Sequence, residues 1–110
     1  MERQHISAAF DAELHDLRQR ILTMGGLVEV MIADAIKALV ERDTPLAERV
    51  IAQDHLVNGH EVAIDEKCLE LLARRQPAAR DLRFITLALK IVTDLERIGD
   101  QCANLGKRVR

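Results

Sequence analysis

Only two prolines interrupt this chain, at positions 45 and 77, and each stands between long segments of helical period. Proline lacks a backbone donor and clashes with the preceding turn, so it begins or ends a helix. The breaks read Arg42-Asp43-Thr44-Pro45 and Gln76-Pro77. Pro45 suits the first turn of a helix capped by Thr44, and Pro77 starts another. Helix one is expected from about residue 6 to 41, helix two from about 45 to 74 and helix three from about 78 to 108. Connections this short make neighbours antiparallel. The expected fold is all-α: an antiparallel up-down-up three-helix bundle, one domain over residues 1–110.

The side chains available for a core support that fold. The chain is 48% hydrophobic but has two Phe and no Tyr or Trp, so Leu, Ile, Val and Ala must do the packing. A net charge of −2 gives no global field towards nucleic acid. Lys107, Arg108 and Arg110 form a short basic end that a solvated helix terminus explains as well as a phosphate contact. Glu29, Asp34 and Lys37 break up the best candidate for a membrane span. The start shows no secretory signal, so a cytoplasmic chain is expected. Cys68 and Cys102 then read as reduced core or interface residues. On this layout they lie about 25 Å apart along the bundle, at ~1.5 Å per residue, too far to pair.

Helix one keeps alternating three-four spacing through Phe10, Leu14, Leu17, Ile21, Met24, Val28, Met31 and Ala35. Helix two is less orderly. Its apolar arc holds Leu46, Val50, Val57, Val62, Ile64, Cys68, Leu69 and Leu72, yet Asp54, Asn58, Glu61 and Asp65 fall near the middle of the same arc. Burying an unpaired carboxylate costs several kcal/mol, on the order of a small domain's whole stability. That stripe must face a wet groove, cations, or another charged chain. Helix three carries two arcs. One contains Leu82, Ile85, Leu89, Val92 and Ala103; the second contains Phe84, Ile91, Ile98 and Leu105 with Leu87 and Leu95 beside it. Three helices cannot cover both, so a second bundle is expected against the second arc, a homodimer or a further repeat. Gly25, Gly26 and Gly99 cost helix propensity, and close approach of backbones is their expected use.

Short loops also fix levels along the bundle. Glu96 and Asp100 come level with residues near 57 and 53, and Asp54 and Asn58 with residues near 32 and 28. Glu29, Asp54, Asn58, Glu96 and Asp100 are thus expected in one slab, with Glu61 about a turn away and Asp65 further along. Glu96-x-x-x-Asp100 and Glu61-x-x-x-Asp65 each place two carboxylates where they can hold a cation or neighbouring cations. For one isolated pair a nearby arginine is the simpler partner; several pairs on apolar arcs make a metal site comparably reasonable. Oxygen-activating di-iron chemistry is not expected, because it needs Glu-x-x-His on two helices and only Glu2-Arg3-Gln4-His5 has that spacing. His15, His55 and His60 lie off the main apolar arcs and read as surface residues. No Gly-rich phosphate loop is present, and no Ser or Cys has a convincing base. A small dimeric enzyme of the chorismate mutase type would need buried cationic side chains, where here the arc-centred charges are acidic. A plain interaction module with solvated acids is the remaining rival.

Four stretches together resemble the PhoU family. They are Met24-Gly25-Gly26-Leu27-Val28-Glu29; Asp54-x-x-x-Asn58-x-x-Glu61-x-x-x-Asp65-Glu66; Arg75-Gln76-Pro77-x-x-x-Asp81-Leu82-Arg83; and Asp94-Leu95-Glu96-Arg97-Ile98-Gly99-Asp100. The match spans nearly the whole chain, in order. The resemblance implies an all-helical cytoplasmic regulator of phosphate uptake with no established catalytic activity. It implies repression of the phosphate-starvation response, in concert with a phosphate ABC transporter and its ATPase and with a sensor histidine kinase. It also implies multinuclear metal clusters, iron or zinc among them, held by E/D-x-x-x-D motifs. Carried over, these are Glu96 with Asp100 and Glu61 with Asp65, with Asp54, Asn58 and Glu29 as companions. The family carries two three-helix repeats where this chain matches the first, so it is either a fragment or a half-length member.

Overall fold

The two proline-marked breaks do separate three long helices: α1 over Glu2–Glu41, α2 over Thr44–Arg75 and α3 over Ala79–Val109. The structure is a computed structural model that describes the backbone of residues 2–75 and 77–109, with side chains for 8–74 and 77–109. Glu2, His5, Arg75 and Gln76, named in the motifs above, therefore lie outside the described side chains. Among the described residues there is no strand, and no helix is long and apolar enough to cross a membrane.

The first corner is built from local hydrogen bonds. Arg42 adopts φ 54°, and the Asp43 amide donates back to the Ala38 carbonyl at 3.0 Å. This is the reversed turn that commonly ends a helix, here with a non-glycine residue in the left-handed position. The Asp43 carboxylate Oδ1 then accepts from the Leu46 amide at 3.1 Å, so Asp43, not Thr44, caps α2. Thr44 is already helical, and the cap precedes the expected one by a residue. At the second corner α3 begins two residues after Pro77, where the Leu82 amide donates to the Ala78 carbonyl at 2.8 Å.

One continuous core runs along the bundle. Leu17, Met24, Val28 and Met31 of α1 meet Val50, Val57, Ile64 and Leu71 of α2 and Ile85 and Val92 of α3, all essentially without solvent contact. This is the α1 stripe expected from its spacing. Three assignments to the core arcs fail, because Val62, Leu69 and Leu82 are exposed. Each lies off the line that bisects the two neighbouring helices, which is narrower than an arc drawn on hydrophobicity alone. The rod measures 60 × 18 × 17 Å with a radius of gyration of 17.3 Å. A compact domain of this length would have about 13 Å. A rod this thin has little interior, and both α1 and α3 keep large apolar side chains exposed.

Candidate functional site

Two grooves flank α3, and each begins from the small or large residues that α3 presents. Towards α2 it presents glycine. A Cβ at Gly99 would lie 3.2 Å from Asp54 Oδ1 and 3.4 Å from Val57 Cγ1; at Gly106 it would lie 3.0 Å from the Ala47 carbonyl oxygen. The two glycines are seven residues apart, so one line of α3 lies almost against α2. Gly99 serves the close approach its helix-breaking cost implied, and Gly106 is a second such residue that the sequence reading did not single out. Gly25 and Gly26 do not serve it within this chain, because a Cβ on either would meet nothing within 4 Å.

This tight contact draws acids together along the α2–α3 groove. Asp54, Asn58, Glu61 and Asp65 are half-buried at the rim, not central to the core, and among the described residues no polar or charged one is fully buried. The core line of α2 runs through Val50, Val57, Ile64, Cys68 and Leu71, and the acids stand beside it, turned towards α3. The large burial penalty expected for them therefore does not apply in full. It still shows in their ionisation. Burial raises the Asp54 carboxyl above its ordinary range, with the Asp100 charge and a carboxyl–carboxyl interaction adding to the rise, and His55 and Lys107 opposing it. Burial likewise raises Glu96, helped by contact with Asp100 and by the charges of Glu61 and Asp54. Glu61 is raised by burial and then by Asp65 and Asp100. Burial raises Asp65. Asp54, Glu61, Glu96 and Asp100 thus form one interacting group, with Asp65 joined to it through Glu61.

Beneath the group sit two thiols. Burial pushes Cys68 up to about 11, with Asp65 adding to it, and burial and Asp54 raise Cys102. Both are buried free thiols, protonated at neutral pH and poor as soft metal ligands. Asp54 Oδ1 and Gln53 Oε1 are buried oxygens with no hydrogen-bond partner among the described residues. Such orphaned oxygens, together with clustered carboxyls held above their ordinary range, fit hard cations that favour oxygen donors. Among the described residues, however, no three Asp, Glu, His or Cys side chains converge closely enough to hold one ion. The donors are strung along the groove and do not form a preformed cage. His60 is half-buried, more than the surface place expected of it, while His15 and His55 are exposed as expected.

Glu29 is not brought to this group. It lies seven residues from Leu22 and seven from Ile36, and both of those line openings against α3 on its other side. The expected level along the bundle places Glu29 beside the acids in height, but its side of α1 faces the α1–α3 groove.

That second groove is apolar through its middle. Of the six α3 residues expected at an interface, Phe84, Leu95 and Leu105 are half-buried against the core, while Leu87, Ile91 and Ile98 are exposed. The exposed part is continued by Leu22, Ile32, Ile36 and Leu39 of α1. The α1 half went unread in the sequence because its stripe abuts the core stripe and merges with it. Both ends of the groove are charged. At one end a cleft of about 530 Å³ is lined by Asp11, His15, Arg18, Arg80 and Asp81, with the Arg18 guanidinium 5.4 Å from the Phe84 ring centroid. At the other, Arg42 and Arg108 flank Leu39 and Val109.

Comparison with known proteins identifies the fold. The PhoU domain matches residues 21–109. A phosphate-specific transport system accessory protein PhoU homolog from Pseudomonas aeruginosa is 51% identical over 104 residues, covering 94% of this chain and 43% of that protein. The phosphate-specific transport system accessory protein PhoU of Escherichia coli K12 is 50% identical over 97 residues, covering 88% of this chain and 40% of that one. The crystal structure of PhoU from Pseudomonas aeruginosa superposes with a TM-score of 0.89 at 50% identity, over 91% of this chain and 48% of that one. The phosphate transport system regulatory protein PhoU from Streptococcus pneumoniae gives a TM-score of 0.85 at 41% identity, over 91% and 47% respectively. This chain therefore spans less than half the length of these relatives, which are named as accessory or regulatory proteins and not as enzymes. With about half its residues shared over nine-tenths of its length, this chain belongs to the PhoU family.

Proposed function

We propose that this chain acts in the regulation of phosphate uptake as a non-enzymatic helical adaptor of a phosphate-specific transport system. The observation that carries the reading is the 51% identity with an accessory protein of such a system. In this reading the adaptor works in the cytoplasm with the transporter's ATPase and a sensor histidine kinase, and represses the starvation response when phosphate is plentiful. The α1–α3 face docks a second helical unit, and the α2–α3 groove takes divalent or ferric cations. Asp54, Glu61, Glu96 and Asp100 would hold them, with Asn58 and Asp65 alongside and water completing each shell. Bound cations would neutralise Asp54 and Glu96, which burial and the neighbouring Asp100 charge hold above their ordinary range. They would also tie α2 to α3 where Gly99 lets the two helices touch.

The site is tested by melting wild type and Glu96→Gln/Asp100→Asn with and without iron, zinc and manganese. Metal is expected to raise the wild-type midpoint by several degrees and the variant's little. Equal rises would move the cations elsewhere. The adaptor role is tested by binding of the purified chain to the ATPase of a phosphate transporter and to the cytoplasmic part of a sensor kinase; failure with both overturns it.

A further inference from the structure

The two ends of the α2–α3 acid groove differ in charge. At one end burial and the Asp100 charge raise the Asp54 carboxyl, and His55 and Lys107 oppose that rise. Among the described residues nothing basic opposes the rise at Glu61 or Asp65, towards the other end. Above about pH 7 an imidazole carries little charge, which leaves Lys107 as the lasting cation of the group.

Helix geometry puts Lys107 where the acids feel it. It follows Asp100 by seven residues, on the same line of α3. Its neighbour Gly106 lies against the backbone of α2, where a Cβ would come 3.0 Å from the Ala47 carbonyl oxygen. The base of the Lys107 stem therefore stands close to α2 at the end of the groove. Side chains of a helix lean towards its N-terminus, so this flexible four-carbon stem leans back towards Asp100 and Asp54. Arg108, in the same last turn, lines the opening with Leu39 and Arg42 on the α1 side instead. Among the described residues no ion pair holds Lys107. Nor has the buried Asp54 Oδ1 a hydrogen-bond partner among them. An unpaired ammonium and an orphaned carboxylate oxygen thus share one end of the groove.

We propose that Lys107 is a tethered counter-cation of this groove: in the metal-free chain its ammonium serves the Asp54–Asp100 end, and an incoming metal ion must displace it. An ammonium on a flexible stem has three donors and no fixed fork, so it can settle between carboxylates without shaping a cage. A divalent ion brings twice the charge and takes several oxygen ligands at once. At this end, however, it gains only the difference between itself and the lysine. Lys107 therefore steadies the unloaded chain, lowers its metal affinity and sets how much free metal is needed to load the groove. This rests on the reading of the groove as a cation site.

Manganese(II) is the probe. Its dissociation constant is measured just above neutral pH for wild type, Lys107→Met, Arg108→Met and Glu96→Gln/Asp100→Asn, and each protein is also melted in chelator. Methionine keeps an unbranched stem and drops the charge. Arg108→Met removes a charge from the same last turn, so it controls for net charge and for the helix end. Lys107→Met is expected to bind manganese about three- to tenfold tighter than wild type, and in chelator to melt about 1–3 °C below Arg108→Met. Arg108→Met is expected to bind manganese as wild type does. If Lys107→Met binds no tighter, or melts no lower than Arg108→Met, while Glu96→Gln/Asp100→Asn abolishes binding, the tether is overturned and the cation site stands. Equal tightening by Arg108→Met overturns it in favour of net charge. If Glu96→Gln/Asp100→Asn binds like wild type, or if neither wild type nor Lys107→Met binds, the cation reading falls and the tether falls with it.

Discussion

On its α2 side, α3 offers Gly99 and Gly106 to a neighbour that closes to van der Waals contact; on its α1 side it offers Leu87, Ile91 and Ile98 to solvent. Small residues pull two helices together and so crowd the polar groups at their rim, which is how Asp54 comes against Asp100. Large residues hold the surface apolar and leave it open. The first groove is finished within this chain apart from its charge. The second is finished in shape but lacks its cover. A site for ions and a site for a helix can therefore share one helix, because side-chain size decides which groups can meet.

The largest effect that would break this contrast concerns packing. Ile64 is fully buried beneath the acid groove, and Ile64→Ala is expected to cost about 2–5 kcal/mol in chemical denaturation. Leu87→Ala on the open groove is expected to change stability by less than about 0.5 kcal/mol. Comparable losses would show that the α1–α3 side is already closed.

The glycines give a test of opposite signs. Gly106→Ala gains up to about 1 kcal/mol of helix propensity, but its Cβ must displace the backbone oxygen of Ala47, and overpacking of that kind costs about 1–3 kcal/mol. A net loss is expected. Gly25→Ala meets nothing within 4 Å and is expected to stabilise by about 0.5–1 kcal/mol in the isolated chain. If both stabilise, the α2–α3 contact is looser than described.

The smallest effect is the dependence on pH. Asp54, Glu61, Asp65 and Glu96 are all raised in the folded chain, so folding takes up protons just above the ordinary carboxylate range, about 4. Their effect on stability is absent at low pH and grows unfavourable as pH rises through the folded values. In chelator, the melting midpoint is expected to rise modestly as pH is lowered from neutrality towards 5, and Asp54→Asn with Glu96→Gln should flatten that slope. The exposed Asp16–Arg20 pair lowers Asp16 and acts in the opposite sense, but a surface pair contributes little. An unchanged slope in the double variant would show that the acids are not crowded in the free chain.

The helices, their order and the α1 core stripe were legible in the sequence, because two prolines and a clean three-four spacing each admit one reading. The levels of Asp54 and Asp100 were legible too, since short loops leave little slack. Which side of a helix a residue takes was not. Glu29 has the right height and the wrong groove, because loop length sets height while packing sets rotation. Val62 and Leu69 look like core residues and are exposed, because hydrophobicity does not say where two neighbouring helices cross. Gly106 gave no signal near a helix end, where glycine is ordinary.

Asp43 ends one helix with its amide and begins the next with its carboxylate. A single residue thereby sets both where α1 stops and the angle at which α2 departs. Surface corners usually tolerate insertions. This one is expected not to, because an extra residue taken into α2 turns the remainder of that helix by about 100° relative to α1. Asp54 would swing away from Gly99, and the acids would no longer line the groove. Across descendants of this chain, the corner is expected to keep its length and, at position 43, a side chain able to cap α2.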